Sequence, residues 1–180
     1  MRKALRTGSA WALAALLLAP HPVPAAPLQP AGARAALLAD AAYDGALIKR
    51  IREAKRRIIC AFYLFKVGER RDNGPAALAA ELIQARKRGV EVTVILEGGK
   101  PVARENRAAA GVLSRGGVRV VIPGGRRVTH VKAVVIDGRY VMIGSHNLSH
   151  AALSRNRELS LLVDSPELAA QTAKYLEGIR

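Results

Sequence analysis

The sequence predicts an α/β fold in which a mixed β-sheet is flanked by helices on both faces. Short apolar segments alternate along the chain with longer segments of helical periodicity, which is the order expected for a sheet covered by helices. Two apolar runs, 133–136 and 140–143, are separated by Asp137-Gly138, a dipeptide that favours a tight hairpin. The hairpin adds antiparallel pairing and makes the sheet mixed. The 180 residues are enough for one domain with a core.

Local signals place the helices. Apolar residues recur on one face of segment 44–57 and charged residues on the other. Pro75 suits the first turn of a second helix, and Gly89 follows the cationic last turn that ends it. Ser165 is an N-cap candidate for the last helix. Predicted strands cover 58–65, 90–96, 118–122 and 158–163, and predicted helices cover 44–57, 75–88, 104–113 and the segment after Ser165.

The first 36 residues are predicted to lie outside the folded domain. Arg2, Lys3 and Arg6 precede an apolar stretch, 10–19, and small residues follow it, which is the pattern of a signal peptide cleaved after Ala25. The apolar stretch is far shorter than the roughly 20 residues of a spanning helix, and retention as an uncleaved anchor is the alternative. The sequence therefore predicts a signal peptide over 1–25, a Pro/Ala linker over 26–36 and a domain over 37–180, exported to the periplasm or secreted, with no transmembrane segment after signal removal.

Composition points to an anionic partner. The net charge is +15, and removing Arg2, Lys3 and Arg6 with the signal peptide leaves +12. Such a charge favours nucleic acid or an acidic membrane surface and does not choose between them. Aromatic residues make up only 4% of the chain, which argues against a base-stacking surface. Cys60 is the sole cysteine, so it can form no intrachain disulfide, and its apolar neighbours indicate a core position.

The hairpin is predicted to assemble a polar cluster. Residues two apart in a strand point to the same face, so His130 and Lys132 emerge side by side. The second strand returns antiparallel and brings Ser145 and Asn147 close to them. A histidine can attack phosphorus, while ammonium, hydroxyl and amide donors stabilise the negative charge of a phosphoryl transition state. The cluster therefore has the groups that phosphodiester cleavage requires.

This pattern resembles the HxKxxxxD…GSxN signature of the phospholipase D superfamily. A downstream Asn-Arg-Glu segment, 156–158, resembles that family's N-x-E segment. We find a single copy, as in the short branch that includes a secreted bacterial endonuclease and cardiolipin hydrolase-like proteins, whereas larger members carry two. The signature is carried by His130, Lys132, Asp137, Gly144, Ser145 and Asn147.

The resemblance implies a phospholipase D-like fold and a set of roles. His130 would attack phosphorus and form a phosphohistidine, Glu158 would hold its other ring nitrogen, and Lys132, Ser145 and Asn147 would stabilise the charge. Asp137 in the turn and Gly144 would support the site. A second histidine is needed as proton donor, so the single motif implies a homodimer with two copies of His130 at one centre. No metal and no cofactor are expected.

Other sequence features allow weaker interpretations. His130, His146 and His150 form a rival zinc set, but their spacing matches no standard motif, and Lys132 would repel a cation. His146 alternates with Ser145, so it is expected to point away from the site, and a supporting or surface role is predicted for it and for His150. Segment 98–100 lacks the spacing of a Walker loop. Three loop cations are weaker candidates for contacts with substrate phosphate, namely Lys100, Arg126 and Arg127.

Three functions are compatible with the sequence. The favoured one is an exported endonuclease acting on DNA or RNA, since phosphate contacts dominate nucleic-acid affinity. The alternative is a phospholipase D that hydrolyses membrane phospholipid to phosphatidic acid. The third is an inactive phosphate-binding module, against which the intact polar set argues. Specificity is expected to depend on loops 66–74 and 97–99.

Overall fold

The structure, a computed structural model, describes residues 33–68 and 74–180. Its strands are β1 (Arg34–Ala39), β2 (Arg57–Phe62), β3 (Glu91–Leu96), β4 (Arg119–Val121), β5 (Lys132–Ile136), β6 (Tyr140–Gly144) and β7 (Leu159–Asp164). Its helices are α1 (Ala42–Glu53), α2 (Gly74–Lys87), α3 (Ala103–Arg115), α4 (His150–Ser154) and α5 (Pro166–Glu177).

The strands within the described residues form one mixed sheet, which confirms the predicted fold class. Their order is β1-β7-β6-β5-β2-β3-β4. Strands β2, β3 and β4 run parallel, β5 pairs antiparallel with β2, and β5, β6, β7 and β1 continue antiparallel. The C-terminal ends of the parallel strands therefore lie at the same end of the sheet as the start of β5. His130 and Lys132 are located at this end.

Helices cover both faces of the sheet. One core cluster joins apolar residues of α1, α2, α3 and α4 to one face, with Leu47 and Leu82 nearly inaccessible to solvent. On the other face, Ala169 and Leu176 of α5 pack with Ile59 and other apolar strand residues. Strands β2 and β3 are buried on both faces, which explains their nearly continuous apolar sequences.

The main differences from the sequence prediction are two boundaries and one helix. Strand β1 begins at Arg34, inside the predicted linker over 26–36, because it pairs antiparallel with β7. Helix α1 ends at Glu53 rather than residue 57, since Ala54 turns to an extended conformation and Arg57 enters β2. Helix α4 was not predicted. The proposed signal peptide over 1–25, the linker up to residue 32 and residues 69–73 of the loop over 66–74 lie outside the described residues.

Cys60 lies in β2 and is buried, as expected of a core residue. Burial raises the pKa of its thiol to about 12, so the thiolate that could react is scarce at neutral pH. In the part of the chain that the structure describes, no helix has the length and apolar character needed to cross a membrane.

Candidate active site

His130 and Lys132 are in direct contact at the start of β5. The Lys132 Nζ lies 3.0 Å from Nδ1 and 3.1 Å from Nε2 of His130, and it donates to the His130 carbonyl oxygen at 3.1 Å. The His130 side chain is exposed, whereas Lys132 is half-buried. Burial lowers the pKa of Lys132, and the nearby Glu158 carboxylate opposes this shift. The pair therefore places an accessible imidazole beside a partly desolvated ammonium.

Tyr63 packs against both members of this pair, and no sequence pattern predicts its presence there. The centroid of its ring lies 4.6 Å from that of His130, with the planes tilted by 55°. The Lys132 Nζ is 5.5 Å from the centroid of the Tyr63 ring. The N–H of Tyr63 donates to the Val131 carbonyl oxygen at 3.0 Å. Tyr63 thus fixes the orientation of the residues on either side of Val131.

The other predicted polar residues lie just beyond β6, the second strand of the hairpin, and just before β7. Ser145 donates its hydroxyl to one oxygen of Glu158, and Asn156 Nδ2 donates to the other at 3.0 Å. Asn147 Oδ1 accepts from the Leu64 N–H at 3.2 Å, so that bond leaves Nδ2 as the donor end of the amide. Glu158 is therefore paired with Ser145 and Asn156 in the single chain. Its predicted bond to the ring of His130 stays a prediction.

Asp137 ties the hairpin to the start of β2. Asp137 and Gly138 both have positive φ, 54° and 66°, which fits a type I′ turn at the predicted hairpin. The Asp137 carboxylate accepts from the N–H groups of Lys55, Arg56 and Arg57 at 2.9, 2.8 and 3.0 Å. Burial raises the pKa of Asp137, but these three bonds outweigh it, and the net pKa lies below the ordinary value of 3.8. The Asp137 side chain therefore supports the site by holding the hairpin turn against the backbone at the start of β2.

Asp137→Asn should destabilise the fold in a pH-dependent manner. Asparagine tolerates positive φ, so the change removes the charge and weakens the three bonds, at a cost of about 2 kcal/mol at pH 7. The pKa of Asp137 is lower in the folded state than in the unfolded chain. The stabilisation is therefore fully present above pH 3.8 and is lost as the pH falls through the folded-state pKa. Urea denaturation at pH 7 and at pH 2–3 measures the difference between variant and wild type. A difference that stays constant across this range would contradict the assignment.

Glu97 is a buried acid that sequence reasoning did not place in the site. Its carboxylate accepts from the Gly99 N–H at 2.6 Å and from the Thr129 N–H at 2.5 Å. Asn106, fully buried, donates to the carbonyl oxygens of Glu97 and Tyr63, both at 2.8 Å. These contacts connect the end of β3 to the residue preceding His130. The only sequence signal was an acid that directly follows an apolar strand.

The structure assigns His146 to the core. Its Nδ1 lies 2.7 Å from Ser160 Oγ, its Nε2 lies 3.0 Å from the Asp40 carbonyl oxygen, and its ring stacks on Tyr43 at 4.2 Å. A surface role for His146 is therefore wrong, although it does point away from Ser145. With both nitrogens occupied, it cannot join His130 in a zinc site. Across residues 33–68 and 74–180, no group of His, Cys, Asp and Glu is placed to hold a metal.

A groove of about 820 Å³ runs from His130 along the C-terminal half of α5. Its opposite wall is the loop between β4 and β5, which contributes Arg127. Arg126, in the same loop as Arg127, and Lys100, in the loop after β3, are both exposed and do not line the groove. Of the three weaker phosphate-contact candidates, the structure therefore places Arg127 in the same groove as His130, and all three contacts remain predictions.

The fold and the site together define an α/β protein with an accessible histidine–lysine pair beside a basic groove. Residues 47–180 match the family described as "Cardiolipin synthase, PLD-like domain". The chain belongs to this phospholipase D-like family. That membership confirms the resemblance seen in the signature residues.

Curated relatives match over part of their length. Cardiolipin synthase B of Salmonella typhi is 30% identical over 135 residues, which is 73% of this chain and 31% of the relative. A phospholipase D of Rickettsia bellii is 32% identical over 92 residues, or 51% of this chain and 45% of the relative. The chain thus spans less than half the length of either relative.

Two solved structures share the fold over nearly their whole length. Nuc of Salmonella typhimurium, a phospholipase D family member, superposes with a TM-score of 0.70 at 21% identity, covering 81% of this chain and 92% of Nuc. NucT of Helicobacter pylori gives a TM-score of 0.67 at 21% identity, covering 82% of this chain and 95% of NucT.

Proposed function

We propose that this protein is a metal-independent phosphodiesterase that forms a phosphohistidine on His130, acts as a homodimer, and serves as an exported endonuclease on DNA or RNA. The observation that carries the proposal is the contact between the exposed His130 ring and the Lys132 ammonium at the end of a basic groove. This arrangement offers a nucleophile and a fixed positive charge to the same phosphate.

The reaction divides into two displacements. A ring nitrogen of His130 attacks phosphorus, the bond to the leaving oxygen breaks, and that oxygen takes a proton from a second imidazole. The second imidazole then removes a proton from water, the water oxygen attacks phosphorus, and the P–N bond breaks. Lys132 and the Nδ2 end of Asn147 stabilise charge on the non-reacting oxygens. Glu158 and Ser145 form the polar wall beside them.

A second copy of the chain supplies the second imidazole in this proposal. One chain contains one histidine–lysine signature. An apolar row crosses three neighbouring strands, with Leu37 paired to Leu161 and Leu161 to Ile143, and these side chains are 64%, 41% and 46% exposed. Strand β6 ends at Gly144, one residue after Ile143, and Ser145 of the site follows it directly. A subunit contact through this apolar row would bury it and bring two reaction centres together.

Nucleic acid is favoured over phospholipid as substrate. The net charge of +15, or +12 without the predicted signal peptide, suits a polyanion that presents many phosphates. The alternative is a phospholipase D, which the names of the relatives support. Export to the periplasm or beyond is part of the proposal and follows from the pattern in residues 1–25.

An assay of the purified protein in EDTA tests this proposal. Plasmid DNA, single-stranded oligonucleotides, and phosphatidylcholine with ethanol are offered in parallel. We expect cleaved nucleic acid, no phosphatidylethanol, and sedimentation as a dimer. Phosphatidylethanol without nucleic-acid cleavage would identify a phospholipase D, and dependence on added metal would refute the mechanism. A monomer with full activity would refute the dimer.

A further inference from the structure

The groove beside His130 has cationic side chains on both of its walls. Its cationic lining residues are Arg127, Lys174 and Arg180, and no aspartate or glutamate lines it. The charges come from two separate segments: the loop that precedes β5, and the last turns of α5 with the residues that follow it. A channel with cations on both walls attracts a linear polyanion along its length.

An exposed aromatic ring lies among these cations. Tyr175 lines the groove and is 57% exposed, which leaves much of the ring open to a ligand. Tyr63, against the His130 ring, provides a second aromatic side chain at the same reaction centre. The low aromatic content argued against a base-stacking surface, but the structure places one of the four tyrosines in this groove and another against the His130 ring. Bases that are not held in a duplex can stack on such rings.

We propose that this groove binds a single-stranded nucleic acid, with its phosphates on Arg127, Lys174 and Arg180 and an unstacked base on Tyr175. The inference rests on the proposed function for the reaction at His130 and adds the path of the strand that leads away from it. Its volume of about 820 Å³ lies in the range of sites that enclose a ligand of a few hundred daltons. It thus accommodates a short stretch of strand at a time.

Equilibrium binding tests the path without depending on turnover. All variants are made in the full-length His130→Ala protein, and a fluorescent single-stranded oligonucleotide is titrated in EDTA while anisotropy is recorded. Tyr175→Ala should weaken binding by at least about fivefold, whereas Tyr175→Phe, which keeps the ring, should not. Lys174→Gln should weaken binding and reduce the slope of log K against log salt concentration by about 0.7, the amount expected for one lost contact with a single strand.

A matched lysine controls for net charge. Lys49 is exposed on α1, on the opposite face of the sheet, and Lys49→Gln removes the same charge from a helix. Equal binding by Lys174→Gln and Lys49→Gln, with no effect of Tyr175→Ala, would overturn the inference. Tighter binding of a duplex of the same sequence would also overturn the inference. The same holds if the variants lose binding to vesicles of anionic phospholipid but bind the oligonucleotide as before. If these variants weaken oligonucleotide binding while the wild-type protein cleaves no phosphodiester, the groove is kept and the proposed reaction is rejected.

Discussion

Replacing His130 with alanine should abolish turnover of any phosphodiester while leaving the fold intact. The ring is exposed and contributes little to the core, so its removal should change stability by no more than about 0.5 kcal/mol. Without the nucleophile, no P–N bond forms, and kcat/KM should fall by about 10⁴-fold or more. The rate is measured in EDTA on a substrate that wild type cleaves, with circular dichroism and urea denaturation as checks on folding.

His150 provides a matched control. It is exposed at the start of α4, and its side chain lies 3.3 Å from Ser154 of the same helix. His150→Ala therefore removes the same chemical group from a neighbouring surface, and we expect nearly wild-type activity. A chelated sample of the His130→Ala variant that retained activity would eliminate the phosphohistidine. An equal loss in both histidine variants would show that the effect is not specific to the reaction centre.

Mixing the inactive variant with wild type tests whether two copies share one centre. If each centre uses His130 from both subunits, mixed dimers are inactive, and random exchange at equal amounts leaves about one quarter of the dimers active. Independent centres would leave about half the activity. The specific activity after exchange, measured over several ratios, distinguishes a quadratic from a linear dependence on the wild-type fraction.

The hairpin that carries the site could be predicted from sequence because its causes are local. Asp137-Gly138 accepts positive φ at both positions, and the flanking apolar runs have strand composition. Lys132 opens β5 and His130 lies two residues before it, so extended backbone geometry brings both side chains to the same side. Their contact at 3.0–3.1 Å is the outcome of these local rules.

The elements that sequence missed depend on partners distant in the chain. Strand β1 is Ala-rich and lacks β-branched residues, and it is a strand because β7 offers it an edge. Glu97 and Tyr63 acquire their positions from contacts with Thr129 and His130, which are more than thirty residues away along the chain. No local pattern encodes such contacts. The groove along α5 has the same origin, because its two walls meet only in the folded protein.

Gly144→Ala should be the most destabilising of the single changes considered for this site. Gly144 pairs with Ser160 of β7, and an added Cβ would fall within 3.0 Å of the Ser160 Oγ, the Ser160 Cα and the Leu159 carbonyl oxygen. Two of these atoms are backbone, so the strands would have to separate beside Ser145. We expect a loss of about 3 kcal/mol in the free energy of unfolding, measured with urea. Gly124→Ala, where an added Cβ meets no atom within 4 Å, is the control. Equal stability of the two variants would show that β6 and β7 are not packed this closely. It would then also contradict the contact between Ser145 and Glu158 beside them.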